Sequence, residues 1–401
     1  MAMASNVATL TSTDPDDGGS LPAWTYCDQE FFDVEMRRIM RPSWQVLCHV
    51  SDVAHPGDYH TLDYAGESII AIRGDDHVVR AFTNVCRHRG SRLVDDASGC
   101  AKRLVCPYHA WAYDLTGQLS GVPLKNTYPG LKLADHGLAP VDLEIFQGFI
   151  FVRLDDDGGP GVAEMMAPCL ADIAPYRFEE LRAFGRVTLR ERRVNWKNIG
   201  DNYSDALHIA VAHPGLKRLI GSGYGVEAHA HVDKILAPIV DRMSQNPSER
   251  AYQKYLPHVP HLPQERQTLW TYFKLWPNFA FDIYPDQIDF MQWIPVSPTQ
   301  TLIREIAYAI PDADMPEQWR RKMQAARYLN WRINRQVNAE DTALVNRVQD
   351  GMASDSFTVG PLSETEVALR NFSRKVRTLI PEARQHRAPA PGWSRRPHAL
   401  P

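Results

Sequence analysis

Between Cys86 and Trp111 the chain reads CRHRGSRLVDDASGCAKRLVCPYHAW. Reduced to possible metal ligands, this is Cys86-x-His88, seventeen residues, then Cys106-x-x-His109. Each short pair can bring two side chains to one metal from a single loop tip. Gly90 and Pro107 are turn formers beside ligands, which lets backbone N–H groups point at a cluster. Three chemistries compete. A disulfide would leave both histidines unexplained, and six cysteines in 401 residues are too sparse for a disulfide scaffold, which favours a reducing compartment. Structural zinc on two Cys and two His is chemically reasonable, but zinc modules more often pair Cys with Cys and His with His. One Cys and one His from each loop suits a [2Fe–2S] cluster with one iron on two thiolates and the other on two imidazoles. Neutral imidazole in place of an anionic ligand raises the reduction potential.

A second constellation lies in DNYSDALHIAVAHP, which contains Asp205-x-x-His208 and, five residues on, His213. On a helix Asp205 and His208 share a face, whereas His213 falls about 140° from His208. His213 precedes Pro214, which biases it out of the α region and can end the helix there. A lone histidine pair is more often capping or core packing; the preceding carboxylate and the cysteine–histidine segment upstream reverse that preference. Farther on, Leu329, Ile333, Val337, Leu344 and Val348 mark an apolar stripe at helical spacing. Asp341 falls within that stripe, where a carboxylate is costly unless paired or metal-bound. An ion pair with a neighbouring arginine, or a helix restart at NAED, would also account for it. Glu340 is one residue off the stripe and is the weaker candidate. His208, His213 and Asp341 would make a two-histidine, one-carboxylate triad with open positions, the arrangement of non-haem Fe(II) oxygenases.

The Cys-x-His and Cys-x-x-His pairs resemble a Rieske domain. Ser91 and Tyr108 stand where respiratory-type Rieske proteins carry extra cysteines, so the likeness is to the ferredoxin and oxygenase branch. Cys100 lies between the pairs without a matching partner. With NWKNIGDNYSDALH, WPNFAFDIYPD, WIPVSP and AEDTALVNRVQDGM in order, most of the chain resembles the catalytic α subunit of Rieske non-haem iron oxygenases. Asp201 replaces the Glu common before Asn202, and Leu207 the aromatic common before the first histidine. The resemblance implies a [2Fe–2S] cluster on Cys86, His88, Cys106 and His109, and a mononuclear Fe(II) on His208, His213 and Asp341. It also implies O2 as co-substrate and a homotrimer, or a multiple of it, in which electrons cross from one subunit's cluster to its neighbour's iron. Asp205 would bridge His208 to His109 of the partner subunit, and would hold the His208 ring in its ligating tautomer. Asn202 would orient O2 or substrate, although a structural role is equally open. Electrons would come from a separate ferredoxin or NAD(P)H-dependent reductase, since no dinucleotide fingerprint follows a strand. Arg87, Arg89, Arg92, Lys102 and Arg103 could dock it, or form a solvated basic face.

These motifs need elements to position them. A helix opens after Asp28, and from Gly57 to Leu119 the pattern is β, with a hairpin turn at Gly74-Asp75-Asp76 and another at Thr116-Gly117. Residues 148–154 form a further strand, and DDDGGPG (155–161) breaks the chain. Residues 195–215 are helical in their middle, 216–266 read as a long loop or lid, and 268–298 as two or three aromatic-rich strands. A long helix runs from about Pro316 to Asp350 and a shorter one over roughly 362–379. The expected fold is α+β: an all-β Rieske domain, then a helix-grip-like catalytic domain with an antiparallel sheet flanked by helices. The expected divisions are 1–40 (extension and helix), 41–154 (Rieske), 155–161 (linker), 162–385 (catalytic) and 386–401, a tail loose or wrapped on a partner. The first twenty residues read as a disordered lead-in.

A net charge of −4 does not indicate a nucleic-acid face. No run approaches the ~18 apolar residues of a membrane span, and no secretory signal is evident, so the cytoplasm is expected. Trp270, Tyr272, Phe273, Trp276, Phe279, Phe281, Tyr284, Phe290 and Trp293 offer pocket walls, more than two-thirds of them expected to be core. They could pack an aromatic ring or cage a quaternary ammonium. Asp rather than Glu at 205 tilts the resemblance toward aromatic substrates, with monooxygenation or N-demethylation of a quaternary ammonium compound as the alternative. His229, His231 and Asp233 offer a minor further metal site. An electron carrier lacking the second iron, and a zinc-stapled binding protein, are the readings from other classes.

Overall fold

The computed structural model describes residues 19–354 and 356–395, so the first eighteen residues of the expected lead-in and the last six residues of the chain lie outside the described part. The chain divides into two compact units, described separately: one is Arg41–Glu164 with Arg177–Ala183, the other the remainder.

The first unit is built on an antiparallel sheet in the order Gln45–His49, Phe149–Arg153, Pro140–Phe146, Val79–Thr83, Glu67–Arg73, Asp58–Tyr64, Ser98–Cys100. A small sheet of Leu104–Val105, Ala112–Tyr113 and Leu119–Gly121 stands with it. Its last turn is held by the Asp114 carboxylate, which accepts from the N–H groups of Thr116 and Gln118 at 2.9 and 3.0 Å. Gly117 has φ +82° and faces the Phe82 ring at 2.5 Å from where a Cβ would sit, so only glycine fits. Cys86 and Cys106 belong to the apolar cluster that includes Ile70, Phe82, Trp111 and Tyr113.

The second unit's strands run Thr188–Arg192, Gln300–Ala309, Ile288–Ser297, Phe279–Ile283, Leu269–Leu275, Val232–Pro238, Gly225–Ala228, each antiparallel to the next. The Trp196–Ser204 helix packs on Ile288–Ser297 and on the long helix Glu317–Met352. No described helix is long and apolar enough to cross a membrane.

Three expectations are corrected. The 216–266 stretch is structured rather than a loop. It supplies the Pro214–Ile220 helix, two strands and the Pro247–Tyr255 helix, whose first N–H groups are capped by Asn246. The 195–215 stretch, expected to be helical in its middle, is broken there. Its first helix ends at Ser204, Asp205 is extended (φ −81°, ψ 118°), and helix resumes at Ile209. As far as Arg395 the tail is not loose. Trp393 is buried, and the Glu30 carboxylate accepts from the N–H groups of Gly392 and Ser394.

Nearly every residue of NWKNIGDNYSDALH has a structural task. Asn195 caps the helix through the N–H of Lys197 and donates to Pro298 O at 2.7 Å. Lys197 and Glu35 form a fully buried ion pair at 2.7 Å, and Trp196 Nε1 donates to the same carboxylate. Asn198 donates to Gln349 Oε1, Tyr26 donates to Asp201 at 2.6 Å, and Lys274 Nζ donates to Gly200 O at 2.9 Å. These bonds fix the rotation of the helix, and that rotation presents Asn202, Tyr203 and Asp205 to the site below.

Candidate metal centres and catalytic cavity

The two cysteine–histidine loops have the same backbone form. In one, Gly90 N–H bonds Cys86 O and Cys86 N–H bonds Ser91 O. In the other, Ala110 N–H bonds Cys106 O and Cys106 N–H bonds Trp111 O. Gly90 and Ala110, at φ +76° and +56°, close the turns. The result is a facing pair of tips: both cysteines are buried, and the His88 and His109 rings lie 4.6 Å apart at the edge. His88 stacks on Trp111 at 4.8 Å, and its Nδ1 is buried without a hydrogen-bond partner. An orphaned imidazole nitrogen beside two thiols is a donor set for a [2Fe–2S] cluster. Backbone N–H groups of His88, and of Tyr108 and His109, point at the Cys86 and Cys106 sulfurs. The Tyr113 hydroxyl accepts from Arg87 N–H at 2.9 Å, which turns its own proton toward Cys86 Sγ at 3.4 Å. No spacing in the sequence pointed to Tyr113. Of the basic residues nearby, Arg92 pairs with Asp63 and Arg89 lies over Tyr108, while Arg87, Lys102 and Arg103 are exposed. Cys100 is exposed on the Ser98–Cys100 strand.

In the other unit, His208, His213 and Asp341 converge, with one ligand atom from each within 4.8 Å of the others. His208 Nε2 lies 3.1 Å from His213 Nε2 and 3.5 Å from Asp341 Oδ1, and His213 Nε2 is 2.9 Å from Asp341 Oδ1. Two imidazole nitrogens and a carboxylate aimed at one point suit a divalent cation, and their number leaves coordination positions free. His213 reaches the point because, before Pro214, it leaves the helix at φ −117°, ψ 70°. Each ring's remote nitrogen bonds a carboxylate: His208 Nδ1 to Asp205 at 3.2 Å and His213 Nδ1 to Glu340 at 2.7 Å. That pairing fixes the tautomer with Nε2 free for metal. Glu340, the weaker ligand candidate, thus lies behind the His213 ring instead of beside Asp341 Oδ1. Asn202 Nδ2 sits 3.1 Å from both His208 Nε2 and Asp341 Oδ1. Burial works against charge on His208, but hydrogen bonds to Asp205 and Asp341 outweigh it and lift the imidazole to about 9. The site attracts positive charge. Among the described residues His229, His231 and Asp233 form no comparable group.

The triad lines a cavity of about 1020 Å³ whose walls include Asn202, Tyr203, Tyr272, Tyr284 and Phe290. Of the nine aromatic candidates only Tyr272, Tyr284 and Phe290 reach it; Trp270, Phe273, Phe279 and Trp293 are core.

The Rieske [2Fe-2S] domain family matches residues 43–136, and the ring hydroxylating alpha subunit (catalytic domain) family matches 178–382. The chain is 35% identical over 207 residues, half of its length, to the carnitine monooxygenase oxygenase subunit of Escherichia coli K12. It is 36% identical over 199 residues, 49% of its length, to the glycine betaine monooxygenase oxygenase subunit of Chromohalobacter salexigens. The matches span about half of those relatives: 54% and 44% of their lengths. A solved quaternary ammonium Rieske monooxygenase, described with inter-subunit electron transfer, superposes with a TM-score of 0.75 at 25% identity, covering 91% of this chain and 96% of the other.

Proposed function

The chain belongs to the ring hydroxylating oxygenase alpha-subunit family, and on that premise we propose that it uses O2 and externally supplied electrons to oxygenate a small organic substrate. What carries this reading is the convergence of His208, His213 and Asp341 on the wall of a cavity large enough for a small molecule. Cys86, His88, Cys106 and His109 hold the [2Fe–2S] cluster in the unit of Arg41–Glu164 with Arg177–Ala183, and the triad holds iron in the other unit. Bound there, iron(II) would supply open positions for activating O2. By accepting from Nδ1–H, Asp205 and Glu340 would leave each Nε2 to the metal once its binding displaces the second proton, and Asn202 places an amide donor beside His208 Nε2 and Asp341 Oδ1. The thiolates fit a reducing cytoplasm.

The substrate reading follows the relatives: an alkylammonium compound, oxygenated on carbon, with oxidative demethylation where that carbon is N-methyl. The tyrosine-rich wall would equally pack an aromatic ring, and the mass of the product separates the two.

Electrons reach the catalytic domain from a neighbouring copy in a head-to-tail trimer, with Asp205 facing the partner subunit's His109, and a separate reductase or ferredoxin feeds the cluster. Exposed apolar residues at both ends support this: Leu207 (49%) and Val211 (87%) beside Asp205, and Tyr108 (57%) beside His109. Purified Cys106→Ala and His208→Ala chains should each lack substrate-dependent O2 uptake, whereas chains co-assembled from the two should recover part of it. No recovery in verified mixed oligomers rules out transfer between subunits. Wild-type protein that consumes no O2 with any alkylammonium or aromatic substrate, reductase supplied, rules out the function.

A further inference from the structure

We infer that Asp282 and Asp289, with Gln287, form a subsite in the catalytic cavity that binds a cationic nitrogen and so selects the substrate. The two aspartates are direct partners across the Phe279–Ile283 and Ile288–Ser297 strands. Both line the cavity that holds the triad. Residues directly opposite on one sheet face have Cβ atoms about 4.5–5.5 Å apart, where two like charges repel. Neither carboxylate has a cationic partner among the described residues. Asp282 accepts from the Tyr203 hydroxyl, and Asp289 accepts from Gln287 Nε2 at 2.8 and 3.0 Å. The nearby guanidinium of Arg190 is taken by Glu305. Arg186 and Arg192 line the cavity too but pair with neither aspartate.

A second observation is independent of the charges. Gln287 is 6% exposed, lines the cavity, and its Oε1 has no hydrogen-bond partner. A buried acceptor left without a donor is costly, and it adds an oxygen to the same wall. Tyr224 and Tyr272 complete the surroundings, and ring faces attract cations. Burial raises both carboxyls, Asp282 to about 7 and Asp289 well above the usual range, because each charge is desolvated without a counter-ion. A bound cation would meet that need.

This rests on the oxygenase reading only in calling the ligand a substrate, so the test reads binding apart from turnover. Holoprotein is titrated calorimetrically with choline, with ethanolamine and with the neutral tert-butyl isostere of choline. At least one cation should bind at least about tenfold more tightly than the neutral isostere, and Asp282→Asn and Asp289→Asn should each lose about tenfold or more for that cation. Preference for choline identifies a fully alkylated headgroup; preference for ethanolamine identifies an N–H donor that uses Gln287 Oε1. The amide is isosteric and removes the repulsion, and unchanged iron content and [2Fe–2S] spectrum verify the fold. Should Asp282→Asn disturb Tyr203, Asp289→Asn carries the test alone. Equal affinity for cations and isostere, or undiminished cation affinity in Asp289→Asn, overturns the subsite. An active oxygenase without discrimination loses the subsite alone; a discriminating protein without O2 uptake loses the oxygenase reading alone.

Discussion

His208 and His213 are held by different means: one by a carboxylate three residues earlier, the other by a carboxylate 127 residues away in sequence. Local spacing made Asp205 visible as a partner of His208. Nothing local could connect Glu340 to His213, because that contact exists only once the long helix lies against the Pro214 turn. Asp341 was legible for a different reason, as a carboxylate in an apolar stripe that needs a partner. The two acids have separable consequences. Asp341→Ala should abolish mononuclear iron, leaving about two irons per chain in the cluster. Glu340→Gln should keep the ligands but weaken iron binding by about 10–100-fold, read as iron lost to a chelator while the [2Fe–2S] bands persist. If Glu340→Gln retains iron as firmly as the unaltered protein, Glu340 does not support His213.

The Trp196–Ser204 helix shows what a recognisable motif is for. Most of NWKNIGDNYSDALH bonds other elements, and the helix must stop at Ser204 so that an extended Asp205 can turn back to His208. Periodicity alone carried the helix straight through this point, since the break depends on bonds made from outside. Lys197 and Glu35 are the costliest of those bonds to disturb, both being fully buried. Lys197→Met should destabilise the protein by about 3–5 kcal/mol by leaving a carboxylate buried and unpaired, while Lys197→Met with Glu35→Met should recover most of that. Denaturant unfolding compares the two, and equal losses would mean that packing, not the unpaired charge, dominates. The 216–266 stretch was misjudged for a related reason. Its Val232–Pro238 strand is defined by pairing with Leu269–Leu275, not by its own alternation. The Pro247–Tyr255 helix, by contrast, had a readable start in Asn246-Pro247.

For the molecule as a whole, one contribution to acid stability lies in the cluster-bearing unit. His49 is fully buried. Ser51 N–H donates to its Nδ1, so Nε2 carries the proton toward Phe178 O at 3.1 Å. Burial pushes this imidazole down to about 4 from 6.5. The unfolded chain takes up a proton there before the folded one does. Stability is therefore full above pH 6.5 and falls as pH drops toward 4, by about 3 kcal/mol from this residue. Thermal unfolding should show that decline, flattened in His49→Gln; an identical slope in the variant would remove His49 as its cause.

The sequence alone marked the cluster's candidate ligands, because each Cys–His pair sits on one short loop whose spacing is itself the geometry. For the triad it offered three candidates, His208, His213 and Asp341, which the family resemblance rather than the helical period joined. The tertiary structure decided what surrounds them. Glu340 behind His213, Tyr113 under Cys86, and Asp282 opposite Asp289 arise from helix packing, loop facing and strand register. Those relations join residues far apart in the chain, or set two neighbours side by side across a hairpin, and no local pattern encodes them.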